Sequence, residues 1–170
     1  MRGVLVALLL CACDPSGGDA PPLFINEVMP SNQSAHLDPD GAAEEYDDWL
    51  ELYNASGEAA DLEGYFISDD PTDVYRRRLP AGLEIPARGY LLLYADGEPE
   101  QGNAHLPFKL SAAGEQLTLT TSGGLLVDGI EWTDAQPDQS FARFPDGEGE
   151  FVQCASSTPG ATNGSACASP

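Results

Sequence analysis

DWLELYN, residues 48–54, alternates with a period of two. Leu50 and Leu52 fall on one face of an extended chain, and Trp49, Glu51 and Tyr53 fall on the other. Short runs of the same kind recur along the chain, each bounded by Gly, Pro, Asn or Asp. They are LFINEVM (23–29), LEGYFIS (62–68), VYRRRL (74–79), YLLLYA (90–95), FKLS (108–111), QLTLTT (116–121), LLVDGIEW (125–132) and SFARF (140–144). Leu117-Thr118-Leu119-Thr120 alternates strictly, whereas YLLLY is continuously apolar, as a strand covered on both sides would be. No window combines a helical period with caps, so the pattern predicts an all-β sandwich or barrel.

The chain has 170 residues, of which 42% are apolar, enough for one domain with a real core plus tails. Seven basic against 28 acidic side chains leave a net charge of −21. Such a field repels nucleic acid and anionic lipid head groups and favours multivalent cations.

The first 20 residues, MRGVLVALLLCACDPSGGDA, read as a secretory signal and not as part of the fold. Arg2 precedes an apolar run, Val4 to Leu10, that is too short for a permanent membrane span. Leu10-Cys11-Ala12-Cys13 resembles the bacterial lipobox, with Cys13 as the lipidation site after cleavage of residues 1–12. Cys11 is a poorer acceptor, because Leu10 would occupy the position before the cut, where a small residue is expected. Acyl chains on Cys13 would hold the protein at a membrane surface, and residues 13–22 would form a Pro/Gly/Ser tether. Cys154 and Cys167 then remain as an even pair in an exported chain, which argues for a disulfide closing the tail 154–170. The segment between them consists of small residues and turn formers, so the bridge is expected to be what orders it.

With the strands placed, the chain resembles the lamin tail domain, an immunoglobulin-like β-sandwich. The resemblance is carried in order by INEVMPSN (25–32), DWLELYN (48–54), ADLEGYFISDD (60–70), LPAGLEIPARGYLLLYA (79–95), HLPFKLSAAGEQLTL (105–119), VDGIEW (127–132), SFARFPDGEGEF (140–151) and STPGATN (157–163). It implies a sandwich over 23–153, of the bacterial type in which the domain serves as a non-catalytic accessory module. It also gives His105 a structural position ahead of the F-x-L pattern.

The stretch 37–54 holds seven acids. Alignment of 36–47 to an EF-hand loop fails at the first position, which is His36, and no flanking helices are expected. A looser site remains in Asp38, Asp40, Asp47 and Asp48, whose mutual repulsion a hard cation would relieve. Ca2+ suits such oxygen donors better than zinc does. The simpler expectation is a solvated acidic lip.

Other polar features point to structure. SDDPTD (68–73) reads as an Asp/Pro turn. Arg76, Arg77 and Arg78 face both ways, as on an exposed edge strand protected against pairing. His36 and His105 stand far apart in sequence, which argues against a catalytic pair. Asn32, Asn54 and Asn163 open Asn-x-Ser sequons. Trp49, Tyr53 and Trp132 belong to the sandwich or its ends sooner than to an exposed patch. No nucleophile elbow, HExxH, P-loop or dinucleotide fingerprint occurs, so no catalytic residue is assigned.

The sequence thus describes a cell-envelope lipoprotein, held to the membrane by its acyl anchor and displaying a binding or structural module. An unidentified protein or glycan is the expected partner, and nucleic acid is not. The alternative is a metal-dependent envelope hydrolase built on the acidic loop 38–48.

Overall fold

Eleven strands form two facing antiparallel sheets and a two-stranded ribbon in a computed structural model that describes residues 22–39, 45–164 and 167. The strands are β1 (Leu23–Met29), β2 (Trp49–Asn54), β3 (Ala60–Asp61), β4 (Tyr65–Ser68), β5 (Arg77–Arg78), β6 (Glu84–Ile85), β7 (Tyr90–Tyr94), β8 (Gly114–Thr121), β9 (Leu126–Thr133), β10 (Ser140–Phe144) and β11 (Glu150–Cys154). One sheet runs β11-β10-β1-β2-β7, the other β5-β4-β8-β9, and β3 pairs with β6. No helix occurs among the described residues. Of the all-β sandwich or barrel expected from the alternating runs, the sandwich that the family resemblance implies is the fold observed.

Period-two alternation fills the space between the sheets. Leu50 and Leu52 of β2, Leu93 of β7 and Leu23 and Ile25 of β1 meet Ile67 of β4, Leu117 and Leu119 of β8 and Ile130 of β9 in one core. The β1–β2 register shifts between Ile25 and Glu27. This bulge at Asn26 moves the alternation by one residue, so that Val28 faces the core and Glu27 and Met29 face away.

The far side of the five-stranded sheet is covered as well. Across β1, β2 and β7 the outward positions form three rungs: Met29, Trp49 and Tyr94; then Glu27, Glu51 and Leu92; then Phe24, Tyr53 and Tyr90. Met29, Trp49 and Tyr94 make a second buried cluster with Leu92 packed against it. The middle rung carries two fully buried glutamates. At the third rung Gly147 has φ +68°, and a Cβ there would come within 2.9 Å of Tyr53 and 3.0 Å of Phe24. That is closer than a side chain can approach, so glycine lets the chain lie on the aromatic rings.

Several expectations are refined. YLLLY lies at a sheet edge, with Tyr90, Leu91 and Leu92 half-buried and Leu93 and Tyr94 buried. FKLS is not a strand: its backbone makes a single bridge, Lys109 to Asp96, while Phe108 and Leu110 close the core. VYRRRL shortens to β5, an edge strand, with Arg76 ion-paired to Asp69 at 2.7 Å and Arg78 to Glu63 at 3.6 Å. In SDDPTD, Ser68 Oγ accepts the Asp70 N–H and Asp70 Oδ1 accepts the Thr72 N–H, which makes the turn. Trp49 and Trp132 are buried and Tyr53 packs on Tyr90, as packing residues should. The three sequon asparagines are buried, their side-chain amides donating to backbone carbonyls.

Cys154 and Cys167 are joined by a disulfide. The bridge is not what alone orders the segment after β11, because Thr158, Gly160 and Asn163 are hydrogen-bonded into the outward face of the sheet.

Candidate functional site

Two polar clusters lie on the outward face of the five-stranded sheet. The first surrounds His105. Strand alternation at the end of β7 sends Leu93 and Ala95 into the core and Tyr94 and Asp96 to the opposite face. The chain then turns through 97–104 and returns beside β7, with Tyr94 and His105 forming a parallel bridge. His105 is fully buried and stacks on the Tyr94 ring, centroids 5.4 Å apart. Its Nδ1 lies 2.5 Å from Asp96 Oδ2 and 3.9 Å from Asp38 Oδ2. Asp96 Oδ1 accepts the Glu98 N–H at 2.8 Å, which fixes that carboxylate.

Asp38 arrives on the strap between β1 and β2. Asn32 is its organiser: Nδ2 donates to the carbonyls of His36 and Asp47, and Oδ1 accepts the N–H groups of Ala35 and His36. The Asp38 N–H donates to the Glu45 carbonyl at 3.0 Å. His36 lies near-parallel to Tyr94, ring planes 5° and centroids 6.3 Å apart, with Nε2 3.3 Å from the tyrosine hydroxyl, and edge-on to Trp49. The two histidines, distant in sequence, thus both contact one tyrosine.

The expected ligand set is distributed differently from its linear spacing. Asp38 is buried beside Asp96 and His105, and one ligand atom from each of these three residues lies within 4.8 Å of the others. Asp47 is half-buried, and its carboxyl is held above the usual range by burial and by the nearby charge of Asp96. Asp48 is turned to a different task. Its Oδ1 accepts the Asn32 N–H at 2.9 Å, and burial pushes its carboxyl up to about 6. Asp40, Cys13 and Cys11 lie outside the described residues. Sequence reasoning missed Asp96 and His105 as partners. The available signal was an aspartate continuing the outward alternation of an apolar strand, with a histidine nine positions later.

The second cluster surrounds Glu27 and Glu51, which are opposite one another in the β1–β2 register. Glu27 accepts the Ser140 hydroxyl at 2.5 Å and both the N–H and hydroxyl of Thr158. Glu51 accepts the Gly160 N–H at 2.6 Å and the Asn26 amide at 3.2 Å. Burial raises the Glu27 carboxyl above its ordinary range and pushes Glu51 up to about 8, against the hydrogen bonds each accepts. Asp146 is opposite in sign: burial pushes it up, but donors from Thr162, Asn163, Tyr90 and Asn26 outweigh that and lower it. These carboxylates hold the chain closed. Glu27 and Glu51 clamp the segment 158–160, while Asp146 accepts the Asn163 N–H at 2.9 Å and the Tyr90 hydroxyl at 2.7 Å.

Two facing antiparallel sheets, with straps packed over the outer face of one, define an immunoglobulin-like β-sandwich module. The Lamin Tail Domain family model matches residues 18–134, more than half of the chain, and the chain belongs to that family. The match ends before β10 and β11, which complete the five-stranded sheet. No curated protein matches the chain.

Proposed function

We propose that this chain is a bacterial envelope lipoprotein whose lamin tail domain is a non-catalytic binding or structural module stabilised by a bound cation. Acylation of Cys13 supplies the anchor, residues 14–22 supply the tether, and the sandwich is the part displayed. The observation that carries the non-catalytic assignment is the use of the buried acids. Glu27, Glu51 and Asp146 are engaged with the C-terminal segment, and Asp38 and Asp96 converge on a buried imidazole. A hydrolytic site instead requires its acids to face substrate. A net charge of −21 favours a cationic or uncharged partner, protein or glycan, over nucleic acid.

Expression of the full chain in a bacterial host fed an alkyne fatty acid tests the anchor. The wild type should take up label and sediment with membranes. Cys13→Ser should lose both properties and Cys11→Ser should keep the label. A wild-type chain that is exported without label would overturn the lipoprotein assignment.

A further inference from the structure

We propose that Asp38, Asp96 and His105 bind a divalent transition-metal ion of the zinc class, cross-linking the β1–β2 strap to the end of β7. The inference rests on the cation-stabilised part of the function proposed above and not on the membrane anchor. It replaces the all-aspartate, calcium-type set with a different set of donors.

Geometry comes first. Three buried residues from three separate segments each present one ligand atom, and these atoms lie within 4.8 Å of one another. Bonds of about 2.0–2.2 Å at tetrahedral angles set ligand atoms roughly 3.3–3.6 Å apart, so an ion would replace the Nδ1–Asp96 hydrogen bond, widening that contact by roughly 1 Å, and draw Asp38 in by a smaller shift. Both carboxylates approach the same imidazole atom, Nδ1, at 2.5 and 3.9 Å.

Charge is the second argument. Two buried carboxylates and a neutral imidazole sum to −2, and an imidazolium still leaves −1. A divalent ion would offset the charge of these two carboxylates in a place where buried charge is costly. Asp47 and Glu98 add negative field nearby, and exposed Lys109 is the neighbouring cation that offsets part of it.

The donors then select the ion. One imidazole nitrogen with two carboxylate oxygens suits zinc, cobalt or manganese, whereas calcium takes six to eight oxygens. The surroundings are those of a prearranged site. The Glu98 N–H orients Asp96, the Tyr94 ring fixes the plane of His105, and Asn32 shapes the strap that presents Asp38.

The test uses the full chain, purified in mild detergent and stripped with EDTA, with Zn2+, Co2+, Mn2+ and Ca2+ as separate probes. One equivalent of Zn2+ or Co2+ should bind saturably at micromolar concentration, raise the melting midpoint by several degrees and resist competition from millimolar Ca2+. In the unmutated chain labelled with 15N-histidine, the Nδ1 resonance of one of the two imidazoles should shift on Zn2+ addition. His105→Gln and Asp96→Asn should each abolish saturable binding, and His36→Gln should retain it. If a variant fails to fold, the imidazole resonance of the wild type decides the matter. Saturable Ca2+ binding without Zn2+, Co2+ or Mn2+ binding would overturn the inference and leave the cation-stabilised reading standing. Binding of no ion would overturn both. Zn2+ binding that shifts neither imidazole, or that survives His105→Gln, would overturn the assigned ligands.

Discussion

Glu27 and Glu51 face one another across the β1–β2 ladder, both fully buried, and each holds a backbone N–H of the same C-terminal segment. Glu27 takes that of Thr158 at 3.1 Å and Glu51 that of Gly160 at 2.6 Å. Strand pairing places two acids side by side, and the chain end supplies the donors that satisfy them.

This pairing gives the fold a pH dependence of definite sign. Burial holds Glu51 at about 8 against an ordinary value of 4.5, and Glu27 is raised in the same direction. Between those values the folded chain binds more protons than the unfolded chain. The contribution of Glu51 is therefore fully present below about pH 4.5 and is lost as pH rises towards 8. A displacement of this size has an upper bound on the order of 5 kcal/mol. Glu51→Gln removes the titration but turns an amide N–H towards one of the two donors, where the hydroxyl oxygen of the protonated acid can still accept, at about 1–3 kcal/mol. In urea titrations the variant should be the less stable chain at pH 5, and the gap should narrow towards pH 8. A gap independent of pH would show that Glu51 does not titrate in this window.

Asn163 ties the same segment down. Its Nδ2 donates to the carbonyls of Asn26 and Arg143, at 3.1 and 3.0 Å, and its Oδ1 accepts the Thr158 hydroxyl. Asn163→Ala takes the amide donor from the Asn26 and Arg143 carbonyls, while the Thr158 hydroxyl keeps Glu27, and should cost about 2–4 kcal/mol. A loss below 0.5 kcal/mol in denaturant titration would mean that the segment contributes little to stability.

Arg143 and Asp128 join the two sheets. Arg143 of β10 donates through Nη2 to Asp128 of β9 at 2.6 Å, through Nε to the Ile25 carbonyl and through Nη1 to the Gly149 carbonyl. Its guanidinium also lies 4.3 Å from the Phe151 ring centroid. Asp128 Oδ2 in turn accepts the Ile25 N–H at 2.8 Å. Arg143→Met strands a largely buried carboxylate and should cost about 3–5 kcal/mol. Adding Asp128→Asn should then recover at least about 1 kcal/mol. Strict additivity in the double-mutant cycle would show that the two residues act independently.

How much of this was legible in the sequence depended on the range of the interaction. Residues 48–54 and 116–121 declare their strands through a local period of two, and SFARF and LFINEVM are recovered to the residue. FKLS has the same pattern but no neighbour to pair with beyond one bridge, so alternation alone overcalls it. The bulge at Asn26 is invisible locally, yet it decides that Glu27 joins Glu51 on the outward face. The His105 cluster was illegible for a similar reason. Asp38, Asp96 and His105 meet only through the β2–β7 pairing and the return of the chain beside Tyr94, so a search for closely spaced acids gathers Asp47 and Asp48 instead. The disulfide was legible from the pair Cys154 and Cys167, whereas the glutamate clamp beneath it needed the sheet.

The disulfide and the clamp can be separated experimentally. Closing the loop from Cys154 to Cys167, 13 positions apart, should contribute about 3 kcal/mol by restricting the unfolded chain. Cys154→Ser with Cys167→Ser should lower stability by that order while leaving the segment in place, because Glu27, Glu51 and Asp146 still accept the N–H groups of Thr158, Gly160 and Asn163. In hydrogen exchange the Gly160 and Asn163 amides should therefore remain protected in the double variant. In Asn163→Ala, with the bridge intact, local opening should speed exchange at Gly160 relative to the β-sheet core. If removing the bridge alone brings both amides to the exchange rate of an unstructured chain, the disulfide orders the segment and the glutamates merely accompany it.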